Sequence, residues 1–374
     1  MRQVLEGLKV LDFTNYLPGP YCTQVLVELG AEVLKVENPR GGDPCRSFMA
    51  SGGGTSPWFE AVNRGKRSVA VDLKHPRGRE VVLGLARAGW DIWVEGFRPG
   101  VMQRLGLGYE EVSKQLPGLI YVSISGFGQQ GPMATRPGHD ANYLALSGLM
   151  YVSAHPQSGP GLWSLPVADL AGGALPALAG LLAAVIGRER TGRGAWVDVG
   201  MWVSLMHLGR FPLAGIRAGV ESAEPGGTGL VGRYPCYSVY RTRDGRYVVL
   251  GALEEKFWRA FVEGVGREEL MDLQYDPSPE AKRKVAEVVE ERDFDWWVDF
   301  AAKNECCLEP VLSPHEAWER AAGAGDVLVG GIGRKVQGPA PGLGEDTREV
   351  LQAAGFSQEE LEQLASEGVV GLGG

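Results

Sequence analysis

The stretch LKVLDFTNYLPGPYCTQVLVELGAEVLKV, residues 8–36, decides the fold class of this chain. Its two ends, residues 8–13 and 32–36, are short runs rich in Leu and Val, which is typical of buried strands. Residues 21–29 predict a helix that ends at Gly30, since glycine commonly terminates helices. A strand–helix–strand unit predicts a parallel sheet, because its connection has to cross back over the sheet.

The alternation of strands and helices continues to about residue 200 and places the protein in the α/β class. Further strands are predicted at 68–73, 91–94, 119–125, 196–199 and 327–336, and further helices at 76–88 and 201–208. The turn after the first strand lacks the glycine fingerprint of dinucleotide-binding units, so neither NAD nor FAD is predicted.

The length of 374 residues exceeds what one hydrophobic core usually supports, which predicts two domains. A Pro- and Gly-rich stretch at 217–233 is typical of a linker. The second domain is predicted to begin near Gly232 with a hairpin, whose turn is Arg243-Asp244-Gly245.

Composition and charge narrow the classes of partner. A formal net charge of −9 argues against wholesale nucleic-acid binding. The five cysteines, an odd number at irregular spacing, form no disulfide or zinc pattern, so no metal site is predicted.

Residues 170–187 are uncharged and long enough to span a membrane. The internal Gly and Pro residues and the missing flanking aromatic residues favour a buried helix instead. Without an apolar signal region at its start, the sequence predicts a cytoplasmic protein that binds no membrane.

Two candidate reactive groups lie in the segment 137–173, each at the edge of an ordered element. His139 stands in the turn Pro137-Gly138-His139-Asp140, and Asp169 comes at the start of a long apolar helix. An imidazole and a carboxylate that face one carbon atom from opposite sides can move a proton across it, one as general base and the other as general acid. A purely structural interpretation stays open, with Asp169 as the N-cap of the helix and His139 as a turn residue.

Basic residues form a second candidate site. The turn Asn63-Arg64-Gly65-Lys66-Arg67 groups three cations around a glycine, which suits either phosphate groups or an ordinary basic surface turn. Arg98 follows a predicted strand, and ligands of open α/β sheets gather at the carboxyl ends of strands.

Motifs along nearly the whole chain resemble those of one family. They are, in order, Leu11-Asp12-Phe13 with Pro18-Gly19-Pro20, Gly30-Ala31-Glu32-Val33-Leu34-Lys35-Val36-Glu37, Asn63-Arg64-Gly65-Lys66-Arg67-Ser68, Glu95-Gly96-Phe97-Arg98-Pro99-Gly100, Gly192-Arg193-Gly194, and the hairpin Arg241-Thr242-Arg243-Asp244-Gly245-Arg246-Tyr247. The chain thereby resembles the class III CoA-transferases, the carnitine-dehydratase and bile-acid-inducible group.

The resemblance implies an α/β fold with two domains. A large Rossmann-like domain with a parallel sheet would contain residues 1–200 and, after the small domain, residues 313–374. A linker at 201–227 would lead to a smaller α+β domain at 228–312. The resemblance also implies a homodimer in which the two chains interlock.

Within that family, Gly138-His139-Asp140 followed by Asn142-Tyr143 is similar to the motif of α-methylacyl-CoA racemases. The transferase branch typically lacks this histidine and relies on the aspartate that matches Asp169. The racemase resemblance implies that His139 and Asp169 are the two proton-transfer groups. Ala252-Leu253-Glu254 resembles a segment with an active-site glutamate, so Glu254 would either tune the pair from the partner chain or be an ordinary glutamate at a helix N-terminus.

The resemblance also implies an acyl-CoA substrate, and no cofactor beyond the CoA that this substrate carries. Candidate residues for the CoA phosphates are Arg40, Arg64, Lys66 and Arg67. Arg98 would reach the pyrophosphate or the thioester, and Asn142 and Tyr143 complete the predicted binding residues. Asp140 either orients the imidazole or is a local turn carboxylate.

The function that follows is interconversion of (2R)- and (2S)-2-methylacyl-CoA by 1,1-proton transfer through an enolate. Backbone N–H groups at the start of the helix after Asp169 are expected to stabilise the enolate oxygen. The alternative is a class III CoA-transferase, in which Asp169 attacks the donor thioester and an aspartyl-CoA thioester forms. A catalytically idle CoA-binding protein is the remaining class.

Of the other histidines, His207 lies in an apolar helix and is expected to be packed in the core.

Overall fold

The protein is described by a computed structural model that covers residues 3–50, 55–156, 158–321, 324 and 327–373. Its strands are β1 Lys9–Phe13, β2 Glu32–Glu37, β3 Arg67–Val71, β4 Ile92–Glu95, β5 Ile120–Ser125, β6 Ala195–Gly200, β7 Tyr237–Arg241, β8 Tyr247–Gly251, β9 Leu308–Pro310 and β10 Val370–Gly371.

The helices of the first half are α1 Pro18–Glu28, α2 Pro57–Asn63, α3 Pro76–Arg87, α4 Val101–Arg104, α5 Tyr109–Val112, α6 Asp140–Leu146, α7 Leu149–Val152 and α8 Leu175–Thr191. The helices of the second half are α9 Met201–Leu208, α10 Arg210–Arg217, α11 Glu255–Val265, α12 Pro279–Glu290, α13 Phe294–Lys303, α14 Pro314–Ala321, α15 Thr347–Ala353 and α16 Gln358–Ser366. A π-helical turn, Ala168–Ala174, leads directly into α8.

The chain divides into two compact units. The larger unit consists of Met1–Leu146, Trp163–Leu208 and Gly325–Gly374, and the smaller one of Ser147–Leu162 and Gly209–Ala324. The smaller unit therefore takes in a segment around α7, which the sequence analysis assigned to the large domain. The predicted linker at 201–227 contains two helices, α9 and α10.

A seven-stranded sheet forms the larger unit, in the order β10-β3-β2-β1-β4-β5-β6. Every neighbouring pair is parallel except β10 and β3, which are antiparallel. The predicted α/β class with a parallel sheet is thus confirmed. The chain moves outward from β1 to β3 and then returns to place β4 on the other side of β1. This reversal is the point at which open α/β sheets bind ligands, because the loops after the two central strands diverge there.

Aromatic side chains fill the core beneath the central strands. The rings of Phe13 and Trp93 lie 5.3 Å apart between centroids, and those of Trp93 and Tyr121 lie 5.9 Å apart. All three side chains are buried, in a cluster that includes apolar residues of α3, α15 and α16. The C-terminal segment is therefore part of this core.

Helix α8 is the apolar helix expected from the sequence. The continuous helical stretch Ala168–Thr191 could cross a membrane by length and composition alone. In its most apolar segment of 18 residues, 39% is buried. A core helix passes the same test, and α8 packs against β5 and β6 with Ala177, Leu178 and Leu181 buried.

The smaller unit is an α+β structure. Its antiparallel sheet has the order β7-β8-β9, and one face packs on α11, α12 and α13. Buried aromatic side chains of α11 and α13 fill this core, with Phe261 stacked on Trp297 at 6.3 Å.

The strand predicted at 327–336 is wrong, since this segment has no strand. The backbone N–H of Gly333 donates to the carbonyl of Val329, which closes a turn. Gly331 has a φ of +81°, a left-handed conformation that does not continue a strand. The apolar residues suggested a strand, but the interspersed glycines permit the turn.

Candidate active site

The loops that follow β1, β4 and β5 converge on the candidate site, at the reversal of the strand order. The β1 loop contains Tyr16, the β4 loop contains Arg98, and the β5 loop begins with Gly126. Helix α6 and the π-helical turn pack against each other and contribute the candidate reactive residues. The site is thus assembled from loops that a rigid sheet positions.

His139 precedes α6 and has an ordered backbone. Its N–H donates to Oδ1 of Asn142 at 2.9 Å, and its carbonyl accepts from the N–H groups of Asn142 and Tyr143 at 2.9 and 3.3 Å. These bonds close a turn around the histidine, whose side chain is exposed. Asn142 therefore fixes the backbone from which the imidazole projects.

Tyr143 is the buried support of the same turn. Its hydroxyl donates to the carbonyl of Gly138 at 2.6 Å. A Cβ atom at Gly126 or Gly138 would come within 2.6 or 2.7 Å of the tyrosine ring, so both positions require glycine. Burial, and next the charge of Asp169, raises the pKa of Tyr143 to about 12, while Arg98 acts in the opposite direction. Tyr143 therefore lies within the electrostatic reach of both Asp169 and Arg98.

Asp169 is the second residue of the π-helical turn, whose N-cap is Val167. The interpretation of Asp169 as the N-cap is therefore wrong, since the helical conformation begins before it. Burial is the main cause that raises the pKa of its carboxyl to about 7, and the charge of Asp140 adds to it. A carboxyl that titrates near neutral pH can serve as acid or as base.

The π-helical turn fits into the site because two of its residues are glycines. A Cβ at Gly172 would lie 2.8 Å from the carbonyl oxygen of Met201, at the start of α9. A Cβ at Gly173 would lie 3.2 Å from Cβ of Pro18, at the start of α1. π-Helical turns are rare and occur often at functional sites, which agrees with the position of Asp169.

Asp140 joins the two candidate reactive segments. The backbone N–H of Asp169 donates to Oδ1 of Asp140 at 3.0 Å, across 29 residues of sequence. Because Asp140 directly follows His139, this bond brings the histidine turn and the aspartate turn into one site. The sequence analysis considered Asp140 as a partner of the imidazole or as a turn residue and did not foresee this bond.

The expected enolate donors at the start of the Asp169 helix are already engaged. The N–H of Asp169 binds Asp140, and the N–H of Leu170 donates to the carbonyl of Pro166 at 3.1 Å. Arg98 is exposed at the same site and provides a cation instead.

Tyr16 is a site residue that the sequence analysis missed. Its ring lies edge-on to the imidazole of His139, with 6.5 Å between centroids, and its φ is +64°. A bulky residue in this conformation is strained and needs support. Its N–H donates to Oδ1 of Asp43, which is fully buried and pairs with Lys35 at 2.9 Å. No motif signals this contact, because it depends on how β1 and β2 end.

Glu95 is a second residue that the sequence analysis did not single out. It is buried at the end of β4, and its Oε2 accepts the N–H of Phe97 at 2.8 Å, which shapes the loop that carries Arg98. Burial is the main cause that raises its pKa to about 7. The signal was a carboxylate at the last position of an otherwise apolar strand.

The predicted phosphate-binding residues do not form one cluster of free cations. Arg40 and Arg64 are exposed, and Arg64 lies 3.7 Å from a carboxylate oxygen of Glu60. Arg67 pairs with Asp346 and Glu349 at 3.0 and 2.9 Å, so it ties β3 to the C-terminal segment. Arg40 and Arg64 remain the better candidates for CoA phosphates.

Lys66 is corrected from a phosphate-binding residue to a structural one. Its side chain is fully buried, and its ammonium donates to Asp12, Thr23, Asn63 and the carbonyl of Pro20 at 2.7–3.0 Å. Burial lowers its pKa to about 8, and the charge of Asp12 acts against this decrease. All three ammonium hydrogens are therefore used inside the protein.

Lys66→Met is expected to destabilise the fold by about 3 kcal/mol or more, because it leaves the carboxylate of Asp12 buried without this partner. Chemical denaturation measures the change in unfolding free energy. Arg64→Ala is the comparison, with near-native stability and a raised KM for acyl-CoA. If Lys66→Met kept native stability and raised only this KM, the structural assignment would be wrong.

Glu254 belongs to the smaller unit, where it is exposed at the N-cap of α11. Its predicted action from a partner chain stays a prediction.

His207 is exposed on α9, so its predicted packing in the core is wrong. Across the described ranges, no group of three or more His, Cys, Asp or Glu side chains is placed to hold a metal ion.

Residues 5–347 match CoA-transferase family III, so the chain belongs to this family of enzymes. The α-methylacyl-CoA racemase of Homo sapiens is 33% identical and aligns over 98% of this chain and 97% of its own length. The succinyl-CoA:glutarate CoA-transferase of Mus musculus is also 33% identical, over 98% of this chain and 90% of its own. Relatives with two different reactions are therefore equally similar.

A solved structure shares the fold. The CAIB/BAIF family protein from Brucella suis superposes with a TM-score of 0.80 at 24% identity, covering 95% of this chain and all of its own. The family match over residues 5–347 confirms the resemblance found in the sequence.

Proposed function

We propose that this protein is a racemase that interconverts (2R)- and (2S)-2-methylacyl-CoA by moving the α-proton between His139 and Asp169. The observation that carries the proposal is the hydrogen bond from the N–H of Asp169 to Asp140, the neighbour of His139. A transferase needs the carboxylate alone, whereas proton transfer between two faces of a carbon needs both groups in one site.

The reaction conserves atoms and protons. In one direction, ionised Asp169 takes the α-proton, and the C–H electron pair moves into the thioester to form an enolate. Protonated His139 then gives a proton to the opposite face of the α-carbon. The reverse direction exchanges the two roles. Arg98 stabilises the negative enolate oxygen as a nearby cation.

The pair has to hold one proton in total, which makes activity depend on pH from both sides. Below its pKa of about 7, Asp169 is mainly protonated, and above it mainly ionised. When both groups carry a proton no base remains, and when neither carries one no acid remains. The kcat/KM profile is therefore expected to be bell-shaped, with apparent pKa values that belong to the pair.

The alternative is CoA transfer, because the succinyl-CoA:glutarate CoA-transferase has the same 33% identity to this chain as the racemase. The carboxylate of Asp169 would attack the donor thioester and expel the CoA thiolate to give a mixed anhydride. The thiolate would then attack the aspartyl carbonyl, release the donor acid and form an aspartyl-CoA thioester. In this reaction His139 has no task.

α-Hydrogen exchange tests the proposal. The purified protein is incubated with one enantiomer of a 2-methylacyl-CoA in heavy water, and deuterium at carbon 2 and the enantiomer ratio are followed. A parallel reaction contains free succinate. We expect exchange with racemisation and no new thioester. New acyl-CoA without exchange would overturn the proposal in favour of CoA transfer.

The homodimer and the cytoplasmic location belong to the same proposal. The sheet of the smaller unit has an open apolar face with Val239 and Tyr247, which are 60% and 48% exposed. Such a face is typical of a surface that another chain covers. Sedimentation should give twice the 40.2 kDa of one chain, and a monomer at micromolar concentration would contradict the dimer.

A further inference from the structure

Asp140 has an unusual contact for the first residue of a helix. Its Oδ1 accepts the N–H of Asp169, which belongs to the π-helical turn, rather than capping an N–H of α6. A carboxylate that accepts a backbone N–H forms a stronger bond than a neutral acceptor. The bond therefore ties the turn that carries Asp169 to the helix that begins beside His139.

We propose that Asp140 is a positioning residue for the proton-transfer pair. Its carboxylate fixes the backbone of Asp169 relative to His139, and its negative charge acts on the Asp169 carboxyl. The inference rests on the proposed racemase function and deepens it. It assigns to Asp140 a task on Asp169, whereas the sequence suggested only an effect on the imidazole or none.

The charge of Asp140 has a physical reason to matter. Asp169 is a partly buried carboxyl, and a like charge nearby disfavours its ionised form. After burial, the field of Asp140 is the second cause of the raised pKa of Asp169. Without that field the Asp169 carboxyl would hold its proton less tightly and would be less available as the acid.

Three charged groups on elements that pack against the π-helical turn have partners of their own. On α1, Glu28 accepts the N–H of Leu328; on β6, Asp198 accepts the N–H of Gln129; on α8, Arg188 pairs with Asp91. His207 is exposed on α9. Tyr143 and Arg98 share the site, and Tyr143 stays neutral near pH 7 because its pKa is about 12.

Two substitutions separate position from charge. Asp140→Asn keeps an oxygen that can accept the N–H of Asp169 but removes the charge, whereas Asp140→Ala removes both. We expect Asp140→Asn to move the acidic limb of the kcat/KM profile to lower pH. Asp140→Ala should add a loss in kcat of about 100-fold, the size expected from a small misplacement of a reacting group. Asp276→Asn is the matched control, since Asp276 also accepts a backbone N–H, that of Ser278, but in the smaller unit.

A measurement without turnover keeps this inference separate from the proposed function. In protein with ¹³C-labelled aspartate carboxyls, the Asp169 resonance is assigned by its loss in Asp169→Asn and titrated by NMR. Asp140→Asn should lower its midpoint even if the wild-type protein fails to exchange the α-proton. An unchanged midpoint, or an Asp140→Ala variant with kcat within threefold of wild type, would overturn the assignment. Failure of wild-type exchange alone would instead overturn the racemase.

Discussion

Asp169→Asn is expected to lower both α-proton exchange and CoA transfer by about 1000-fold or more. In the proposed racemase, the carboxylate is one of the two groups that move the proton, and an amide neither takes nor gives a proton in this pH range. In a transferase, the same carboxylate is the nucleophile, and an amide does not replace it. Retention of either activity would contradict the assignment of the site.

The stability of Asp169→Asn provides the control for folding. The folded state raises the pKa of Asp169 to about 7, mainly by burial, whereas an unfolded aspartate titrates near about 3.9. The folded state therefore binds this proton more tightly, and its stability falls as pH rises from about 4 through 7. Above pH 7, Asp169→Asn should equal or exceed the wild-type Tm. A lower Tm there would mean that lost activity reflects damage to the fold.

His139→Ala is expected to lower the rate of inversion at the α-carbon by about 100-fold to 10,000-fold. This is the range that general acid–base groups contribute to a rate. Because Asp169 still faces one side of the α-carbon, the variant should exchange deuterium into one enantiomer with retention of configuration. The other enantiomer should not exchange. Chiral separation of the products, combined with mass spectrometry, measures both quantities.

The same variant separates the two candidate reactions. If the protein is a CoA-transferase, His139→Ala should keep most of its transfer activity, since the histidine takes no part in the anhydride pathway. His315→Ala is the matched control, because His315 is exposed on α14 of the smaller unit. Equal racemisation by the His139→Ala and wild-type proteins would exclude His139 as the second proton-transfer group.

Much of the fold was predictable because its signals are local. The apolar runs of β1 and β2, with the glycine that ends the intervening helix, identify a parallel sheet. The hairpin turn at Asp244 and Gly245 identified the start of the smaller sheet for the same reason. The error at 327–336 arose because glycines that permit a turn leave the apolar pattern of a strand unchanged.

The buried charges show where local signals end. Lys66 stands in a basic turn with two arginines, and the sequence predicts the same phosphate-binding role for all three cations. The fold places its ammonium against Asp12 of the central strand, 54 residues away, while Arg64 stays exposed. Burial and the nearest opposite charge decide the role of a lysine, and both depend on contacts that are distant in sequence.

The sequence by itself determined the fold class, the family and the two candidate reactive residues, since strand periodicity and short motifs are properties of neighbouring residues. The tertiary structure alone decided how those residues act together. It formed the hydrogen bond from the N–H of Asp169 to Asp140 and bonded the N–H of Leu170, also expected to bind the enolate, to a backbone carbonyl. It also brought the ring of Tyr16 edge-on to that of His139. Hydrogen bonds, burial and electric fields depend on distance in space, and the reversal of the strand order between β1 and β4 brings these distant segments together.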